Sequence, residues 1–242
     1  MTDDGKVGWD LRHERGSAAT FHARPLPDRP YRSVRVLEVV QPALVLGSTQ
    51  AVAVVDHAAA TAAGVEVVRR RSGGGAVLLR PGETTWVDVV VPAGDPLAAV
   101  DVGHSFAWLG EVWAAVVADL APGSDPAVHR GPMEHTPWSS LVCFAGRGPG
   151  EVTIDDAKVV GMAQRRGRAG ARFQCALLHR WDPGAMVDLL ALPPADRDRA
   201  RTELIAAGRG LDVTTATVTE ALMRRLPAER GGAVGSMPRC SG

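Results

Sequence analysis

A glycine-rich turn that follows a run of arginines is the first segment of this chain that could do chemistry. Residues 69–79 read Arg-Arg-Arg-Ser-Gly-Gly-Gly-Ala-Val-Leu-Leu. Because glycine has no side chain to hold a ligand off, the backbone N–H groups of such a turn can approach an anion or an acyl group closely. No Gly-Lys-Ser/Thr follows, so the turn is not a Walker A loop. The alternative interpretation is a tight turn between two strands.

A lysine and a cysteine could supply reactive groups beside this turn. Lys158 begins Lys-Val-Val-Gly-Met-Ala-Gln-Arg-Arg, and Cys143 ends Ser-Ser-Leu-Val-Cys fifteen residues earlier. A fixed ammonium can stabilise the oxyanion that develops in acyl transfer. A thiol near a positive charge can act as a nucleophile. The alternatives are a solvated lysine after the turn at Asp155-Asp156 and a buried apolar cysteine, which is the interpretation that we keep for Cys175 and Cys240.

These segments resemble the lipoate–protein ligase family, part of the biotin/lipoate A/B ligase group. Its members carry Arg-Arg-x-Ser-Gly-Gly-Gly-Ala-Val along the acyl-adenylate pocket and Lys-x-x-Gly-x-Ala farther on. The resemblance covers roughly residues 33–190. It implies an α+β (mixed α/β) fold in which a mixed β-sheet is flanked by helices, with Lys158 and Cys143 as candidate catalytic residues. It also implies a set of substrate- or nucleotide-binding residues: Arg70, Arg71, Ser72, Gly73, Gly74, Gly75, Ala76, Val77, Gly161 and Gln164.

The resemblance leaves three functions open. The leading one is a ligase that activates lipoate or octanoate with ATP and Mg²⁺ and attaches the acyl group to a lysine of an acceptor lipoyl-domain protein. The second is an ATP-independent octanoyl or lipoyl transferase without a cofactor, because Cys143 and Gln164-Arg165 are similar to the cysteine-dependent octanoyltransferases. The third is a non-catalytic relative that binds an acyl group or a lipoyl domain, because Leu79-Arg80 replaces the family's His-Asp pair.

Composition narrows the class of protein. The chain has 242 residues, with 27 basic and 27 acidic side chains. A formal net charge of zero gives no electrostatic reason to expect nucleic acid or an anionic membrane as a partner. Three cysteines without a Cys-x-x-Cys spacing favour a reducing compartment. The histidines have no ligand-like spacing, so we expect no metal site. No apolar run approaches the roughly 20 residues of a membrane span, and we expect a cytoplasmic protein.

The pattern of apolar residues predicts one catalytic domain over residues 33–230. Residues 1–32 are charged and rich in proline, which predicts a loosely ordered or wrapping arm, and residues 231–242 are predicted to be a flexible tail. Asp155-Asp156 is expected to join two strands as a hairpin. Strands are predicted at 34–40, 43–46, 66–69, 76–79, 86–91, 151–154, 158–164 and 172–178. Helices are predicted from Asp56 to Gly64, from 101 to 120 and after 183, with a capping box at Thr217 and Glu220 and a stop at Pro227.

Overall fold

The computed structural model describes residues 8–98 and 102–228 of the protein. Within these residues the chain forms ten strands and six helices. The strands are β1 (Asp10–Gly16), β2 (Ser33–Val39), β3 (Ala43–Leu46), β4 (Glu66–Arg69), β5 (Val77–Leu79), β6 (Thr84–Pro92), β7 (Ala127–Val128), β8 (Val152–Ile154), β9 (Ala157–Gly167) and β10 (Gly170–Leu178). The helices are α1 (Ala18–Ala23), α2 (His57–Ala62), α3 (Val102–Leu120), α4 (Pro183–Val187), α5 (Pro194–Glu203) and α6 (Thr215–Arg225).

The strands form two sheets of mixed direction. The larger has seven strands in the order β1-β2-β6-β10-β9-β8-β7, with β1 parallel to β2 and the other pairs antiparallel. The smaller has three strands in the order β4-β3-β5, with β3 parallel to β4 and antiparallel to β5. This architecture confirms the predicted α+β fold with a mixed sheet flanked by helices.

The two faces of the large sheet have different partners. On β6 and β10, alternate residues such as Val89 and Phe173 pack against α3 and α6 in the main hydrophobic core. Because successive side chains of a strand point to opposite faces of the sheet, the remaining residues of β6 and β10 lie on the face away from α3 and α6. Trp86 of β6 therefore packs with Val45 and Leu79 of the small sheet and with Phe21 of α1. The space between the large sheet, the small sheet and α1 is where the candidate site lies.

A two-residue turn and a bulge position Lys158 on β9. Asp155 and Asp156 have φ of 49° and 63°, as a tight hairpin turn of the I′ type requires at both central positions. Thr153 pairs with Lys158 while Val152 pairs with Val160, so β9 contains one extra residue at this point. Such a bulge bends the strand and redirects a side chain. The predicted hairpin is confirmed, and the bulge lies beside its lysine.

Most predicted elements occur close to their predicted positions. Asp56 caps α2 through its side chain, which accepts from the Ala59 N–H group. The last helix begins one turn earlier than predicted, because Thr214 is its N-cap and shares a capping box with Thr217. Glu220 therefore lies inside the helix, where it pairs with Arg224. The predicted tail, 231–242, lies outside the described residues.

The amino-terminal region differs from the predicted arm. Residues 10–16 form β1, which pairs in register with β2 from Asp10–Ser33 to Gly16–Val39. α1 follows at once, and its N-cap Ser17 accepts from the Thr20 N–H group. β1 escaped prediction because an edge strand keeps polar residues on its outer side, and its sequence Asp-Leu-Arg-His-Glu-Arg-Gly shows little apolar alternation. A loosely ordered arm is therefore wrong for residues 10–23.

Candidate functional site

A cavity of about 90 Å³ lies between the large sheet and the small sheet. Small side chains make room for it, because Gly161, Ala163 and Ala176 stand on neighbouring strands β9 and β10 and line the floor. Val77 and Leu79 of the small sheet line the opposite wall. We call this space the sheet cavity. Its lining is mostly apolar, as a pocket for an alkyl chain requires.

One end of the sheet cavity is formed by Cys143 and Phe144. The two residues begin a short 3₁₀ turn, Cys143–Ala145. This turn is tied to the glycine-rich segment, because Cys143 N–H donates to the Ala76 carbonyl at 2.9 Å and Ala76 N–H donates to the Leu141 carbonyl at 2.7 Å. The cysteine is partly buried, and it is a free thiol.

Lys158 lies directly behind this end of the cavity. Its Nζ donates to the Cys143 carbonyl oxygen at 2.8 Å, and lies 5.4 Å from the centre of the Phe144 ring. The side chain is only 1% exposed, so the solvated lysine considered as an alternative is excluded. Lys158 does not itself line the sheet cavity, but it contacts two residues that do.

A carboxylate that the sequence analysis did not single out balances this lysine. Glu151 Oε2 lies 2.6 Å from Lys158 Nζ, and Glu151 is 4% exposed. The same carboxylate accepts from the N–H groups of Gly148 at 2.6 Å and Met162 at 3.1 Å. A buried ion pair is stable only when its remaining polar atoms are also bonded, and these two N–H groups meet that need. The cue in the sequence was a glutamate seven residues before the lysine, across the hairpin.

The glycine-rich segment packs its backbone against the Cys143 turn. A Cβ at Gly75 would stand 2.6 Å from backbone atoms of Val142, and Gly74 has φ of 93°, so both positions require glycine. Gly73 lines the cavity, and a Cβ there would meet nothing within 4 Å. Among the described residues, the N–H groups of residues 73–75 have no acceptor. These three donors are therefore free for a ligand.

The arginines and the serine that precede the glycines have different environments. Arg70 is buried, and its guanidinium donates to the carbonyl groups of Val45, Gly73 and Gly75. It lines the cavity but is largely occupied in holding the turn. Arg71 is exposed. The Ser72 hydroxyl oxygen is buried and has no hydrogen-bond partner.

The remaining residues implied by the resemblance divide between the two faces of the sheet. Gly161 lines the cavity, where a Cβ would lie 3.4 Å from the Phe144 ring. Gln164 does not line it. Gln164 pairs with Phe173 across β9 and β10, and Phe173 belongs to the core against α3. Directly paired residues share a face, so Gln164 points away from the cavity, one residue out of phase with Ala163.

The other end of the sheet cavity is formed by Trp86 and His22, neither of which the sequence analysis selected. The two rings stack with centres 4.6 Å apart and planes at 30°. Burial, followed by the charges of Arg70 and Arg172, lowers the pKa of His22 to about 3. The imidazole is therefore neutral at physiological pH. Its position was hidden because it lies on α1, in the region predicted as a loose arm.

A buried ion pair between Arg172 of β10 and Asp88 of β6 lies near His22 on the large sheet. Arg172 Nε lies 2.8 Å from Asp88 Oδ2, and burial raises the pKa of Asp88. Arg172 also donates to the carbonyl groups of Phe21 and Arg24, which fixes the end of α1 against the sheet. The Asp88 carboxylate in turn accepts a hydrogen bond from the indole N–H group of Trp86. This pair therefore anchors both residues that close the cavity.

Among the side chains that the structure describes, no group of three or more from His, Cys, Asp or Glu is arranged to hold a metal ion. No helix of the described residues combines the length and the apolar character needed to cross a bilayer.

Known proteins resemble this chain in sequence and in fold. The sequence model of the lipoyl protein ligase A/B catalytic domain matches residues 22–226. No curated protein sequence matches the chain significantly. Among solved structures, a bipartite lipoate protein ligase of Thermoplasma acidophilum, studied with its E2 lipoyl domain, is similar with a TM-score of 0.71 and 18% identity, over 90% of this chain and 82% of that one.

A second solved structure is similar over a comparable length. A lipoate-protein ligase A bound with ATP has a TM-score of 0.64 and 19% identity, over 91% of this chain and 83% of that one. At such identities the structural likeness establishes the shared fold, whereas the sequence match over most of the chain establishes the family. The chain therefore belongs to the lipoyl protein ligase A/B catalytic domain family, a family of lipoate–protein ligase-like enzymes.

Proposed function

We propose that the protein attaches lipoate or octanoate to a lysine of an acceptor lipoyl domain. The observation that carries this proposal is the buried Lys158–Glu151 pair at one end of an apolar cavity. An acyl chain in the cavity would bring its carbonyl group to Cys143 and Phe144, which Lys158 contacts. The structures similar to this chain include a ligase studied with its lipoyl domain and another with ATP.

In this proposal Lys158 stabilises the negative charge that develops on the acyl carbonyl oxygen. The ammonium is held in place by Glu151, so little reorganisation is needed when the tetrahedral intermediate forms. The carbonyl oxygen of the substrate would replace the Cys143 carbonyl oxygen as an acceptor of Lys158 Nζ. The acceptor lysine must attack as a neutral amine, and its proton leaves with the departing group or to solvent.

The leading route activates the acyl group with ATP through an acyl-adenylate. Its support is the free N–H groups of residues 73–75 and the unpartnered, buried Ser72 hydroxyl, which suit the oxygens of a phosphate. Mg²⁺ would neutralise the phosphates of ATP rather than be held by a dedicated protein site.

A second route is favoured by one specific observation. Cys143 lines the sheet cavity itself, beside Lys158. Its thiolate could attack an acyl thioester, releasing the donor thiol and forming an acyl-Cys143 thioester. The acceptor lysine would then displace the thiolate and form the amide, so that neither ATP nor a cofactor is consumed. A non-catalytic relative is the weaker alternative, because a purely binding cavity has no need of a buried lysine and its counter-ion.

The acceptor and the compartment belong to the same proposal. We expect a lipoyl-domain protein as the macromolecular partner, with neither nucleic acid nor a membrane involved, and a cytoplasmic site of action. The formal net charge of zero gives no electrostatic reason to expect nucleic acid or an anionic membrane as a partner.

The test is intact-mass analysis of an apo lipoyl domain incubated with the full-length protein. One reaction contains octanoate or lipoate with ATP and Mg²⁺, and the other contains an octanoyl-carrier protein without ATP. Acylation in the first reaction, retained by Cys143→Ala, supports the ligase. Acylation in the second, abolished by Cys143→Ala and retained by the control Cys240→Ala, supports the transferase. No acylation in either reaction would contradict the proposed function.

A further inference from the structure

His22 is the polar side chain that remains unpartnered at its end of the sheet cavity. It is 9% exposed, it lines the cavity, and its ring nitrogens make no hydrogen bond with the described residues. The other polar groups nearby are occupied. Arg70 donates to three carbonyl groups, and both Trp86 and Gln174 donate to Asp88.

The position of His22 along the cavity follows from the register of the sheet. Gly161 pairs with Ala176, which pairs with Trp86, so these three residues form one row across β9, β10 and β6. Phe144 adjoins Gly161, and His22 stacks on Trp86. Two inter-strand spacings, about 10 Å, therefore separate the reactive end from the His22 end. An extended eight-carbon acyl chain has a comparable length.

We infer that the His22 end of the sheet cavity binds a hydrogen-bonding group at the far end of the acyl chain. This inference rests on the proposed function and specifies its substrate class as medium-chain acyl groups that carry a polar group near the eighth carbon. A neutral imidazole offers one N–H donor and one acceptor nitrogen. A plain alkyl terminus would leave both without a hydrogen-bond partner in the ligand, whereas a hydroxyl group would satisfy one or both.

The experiment compares three neutral mimics of the amide product, so that it does not depend on how the acyl group is activated. The N-methyl amides of octanoic, 8-hydroxyoctanoic and lipoic acids are titrated into the full-length protein by calorimetry. We expect the 8-hydroxy amide to bind about tenfold more tightly than the octanoyl amide, the effect of one net hydrogen bond. The dithiolane sulfurs of the lipoyl amide are weak acceptors, so its affinity should be intermediate.

Variants distinguish the effect of the His22 imidazole on binding from effects of the rest of the protein. His22→Leu should reverse the preference in favour of the octanoyl amide, while His22→Gln, which keeps a donor and an acceptor, should retain the preference for the hydroxyl group. His57→Leu, the same change at an exposed residue of α2 that does not line the cavity, should leave the preference unaltered.

The outcomes distinguish the role of His22 from the proposed function. Equal binding of the octanoyl and 8-hydroxy amides to the wild-type protein, or a preference that His22→Leu leaves unchanged, overturns the role of His22 while the acyl cavity stands. Failure of all three amides to bind contradicts the proposed function as well. The wild-type comparison does not require any variant to fold.

Discussion

A few buried polar side chains determine what the sheet cavity can do. At one end Lys158 is held by Glu151, which is itself held by two backbone N–H groups. At the other end His22 is kept neutral by burial and by neighbouring arginines. Burying a polar group away from water costs free energy unless the group is hydrogen-bonded or paired. Lys158 is paired with Glu151 within the protein, whereas the His22 ring is left to be paired by a ligand.

The Lys158–Glu151 pair makes a prediction about stability and activity together. Glu151→Gln leaves an uncompensated buried ammonium and should lower the free energy of unfolding by about 3–5 kcal/mol. The double variant Glu151→Leu/Lys158→Met removes both charges and should be more stable than Glu151→Gln. Urea denaturation measures both effects.

Lipoyl-domain acylation by the Glu151 and Lys158 variants should not follow their stability. Loss of one preorganised donor lowers kcat by about 10²–10³-fold, so the double variant should be stable but nearly inactive in lipoyl-domain acylation. A double variant with near wild-type acylation would exclude a catalytic role for Lys158.

His22 makes a prediction about pH. Its pKa falls from 6.5 to about 3 on folding, through burial and the charges of Arg70 and Arg172. Between these values the unfolded chain binds more protons than the native protein, so the native state loses stability as pH falls from about 6.5 towards 3. His22→Leu should remove this component, so wild-type stability relative to the variant should decline across that window and be constant above it. Urea midpoints at several pH values measure the difference, and parallel profiles would contradict it.

The elements supply spacing and close approach rather than chemistry. The hairpin turn and the bulge fix Lys158, and the row of small residues across β9 and β10 opens the cavity. The sequence could predict the hairpin, because an Asp-Asp turn separates two apolar runs. It also allowed the glycine-rich turn to be recognised. It could not show that Gln164 faces the helices, because one residue of phase decides the face of a strand and a bulge in the same strand shifts that phase.

The glycine-rich segment offers a matched pair of substitutions. Gly75→Ala places a Cβ 2.6 Å from the backbone of Val142, so the segment must separate from the Cys143 turn. We expect a loss of about 1–3 kcal/mol in unfolding free energy together with loss of acylation. Gly73→Ala meets nothing within 4 Å, so the fold should be unchanged while ligand binding at the turn weakens. Equal destabilisation by the two variants, measured by thermal unfolding, would refute the role assigned to the close contact.

At the scale of the molecule, the cavity is closed by segments distant in sequence. α1, the small sheet and strands β6, β9 and β10 each contribute one wall. The fold class could be predicted from the order of strands and helices. The contribution of α1 could not, because its burial depends on Arg172, about 150 residues later in the chain, donating to the carbonyl groups of Phe21 and Arg24. Contacts between residues so far apart in sequence do not affect the local spacing of apolar residues from which helices and strands are predicted.

Because α1 closes the cavity, stability and ligand binding should be coupled through Phe21. The ring is 2% exposed and meets the edge of Trp86 at 5.5 Å between centres, so Phe21→Ala should cost about 3–5 kcal/mol of unfolding free energy. It should also weaken binding of the acyl amides, since His22 follows in the same helix.

A ligand that binds only the native protein stabilises it by about 2.7 kcal/mol at 100 times its Kd. A saturating amide should therefore raise the Tm of the wild-type protein and, at the same concentration, raise that of Phe21→Ala much less. The exposed-site variant Thr20→Ala serves as the control for changes in α1 itself. If Phe21→Ala lowers the Tm but the amide shifts it as much as in the wild-type protein, α1 stabilises the fold without closing the cavity.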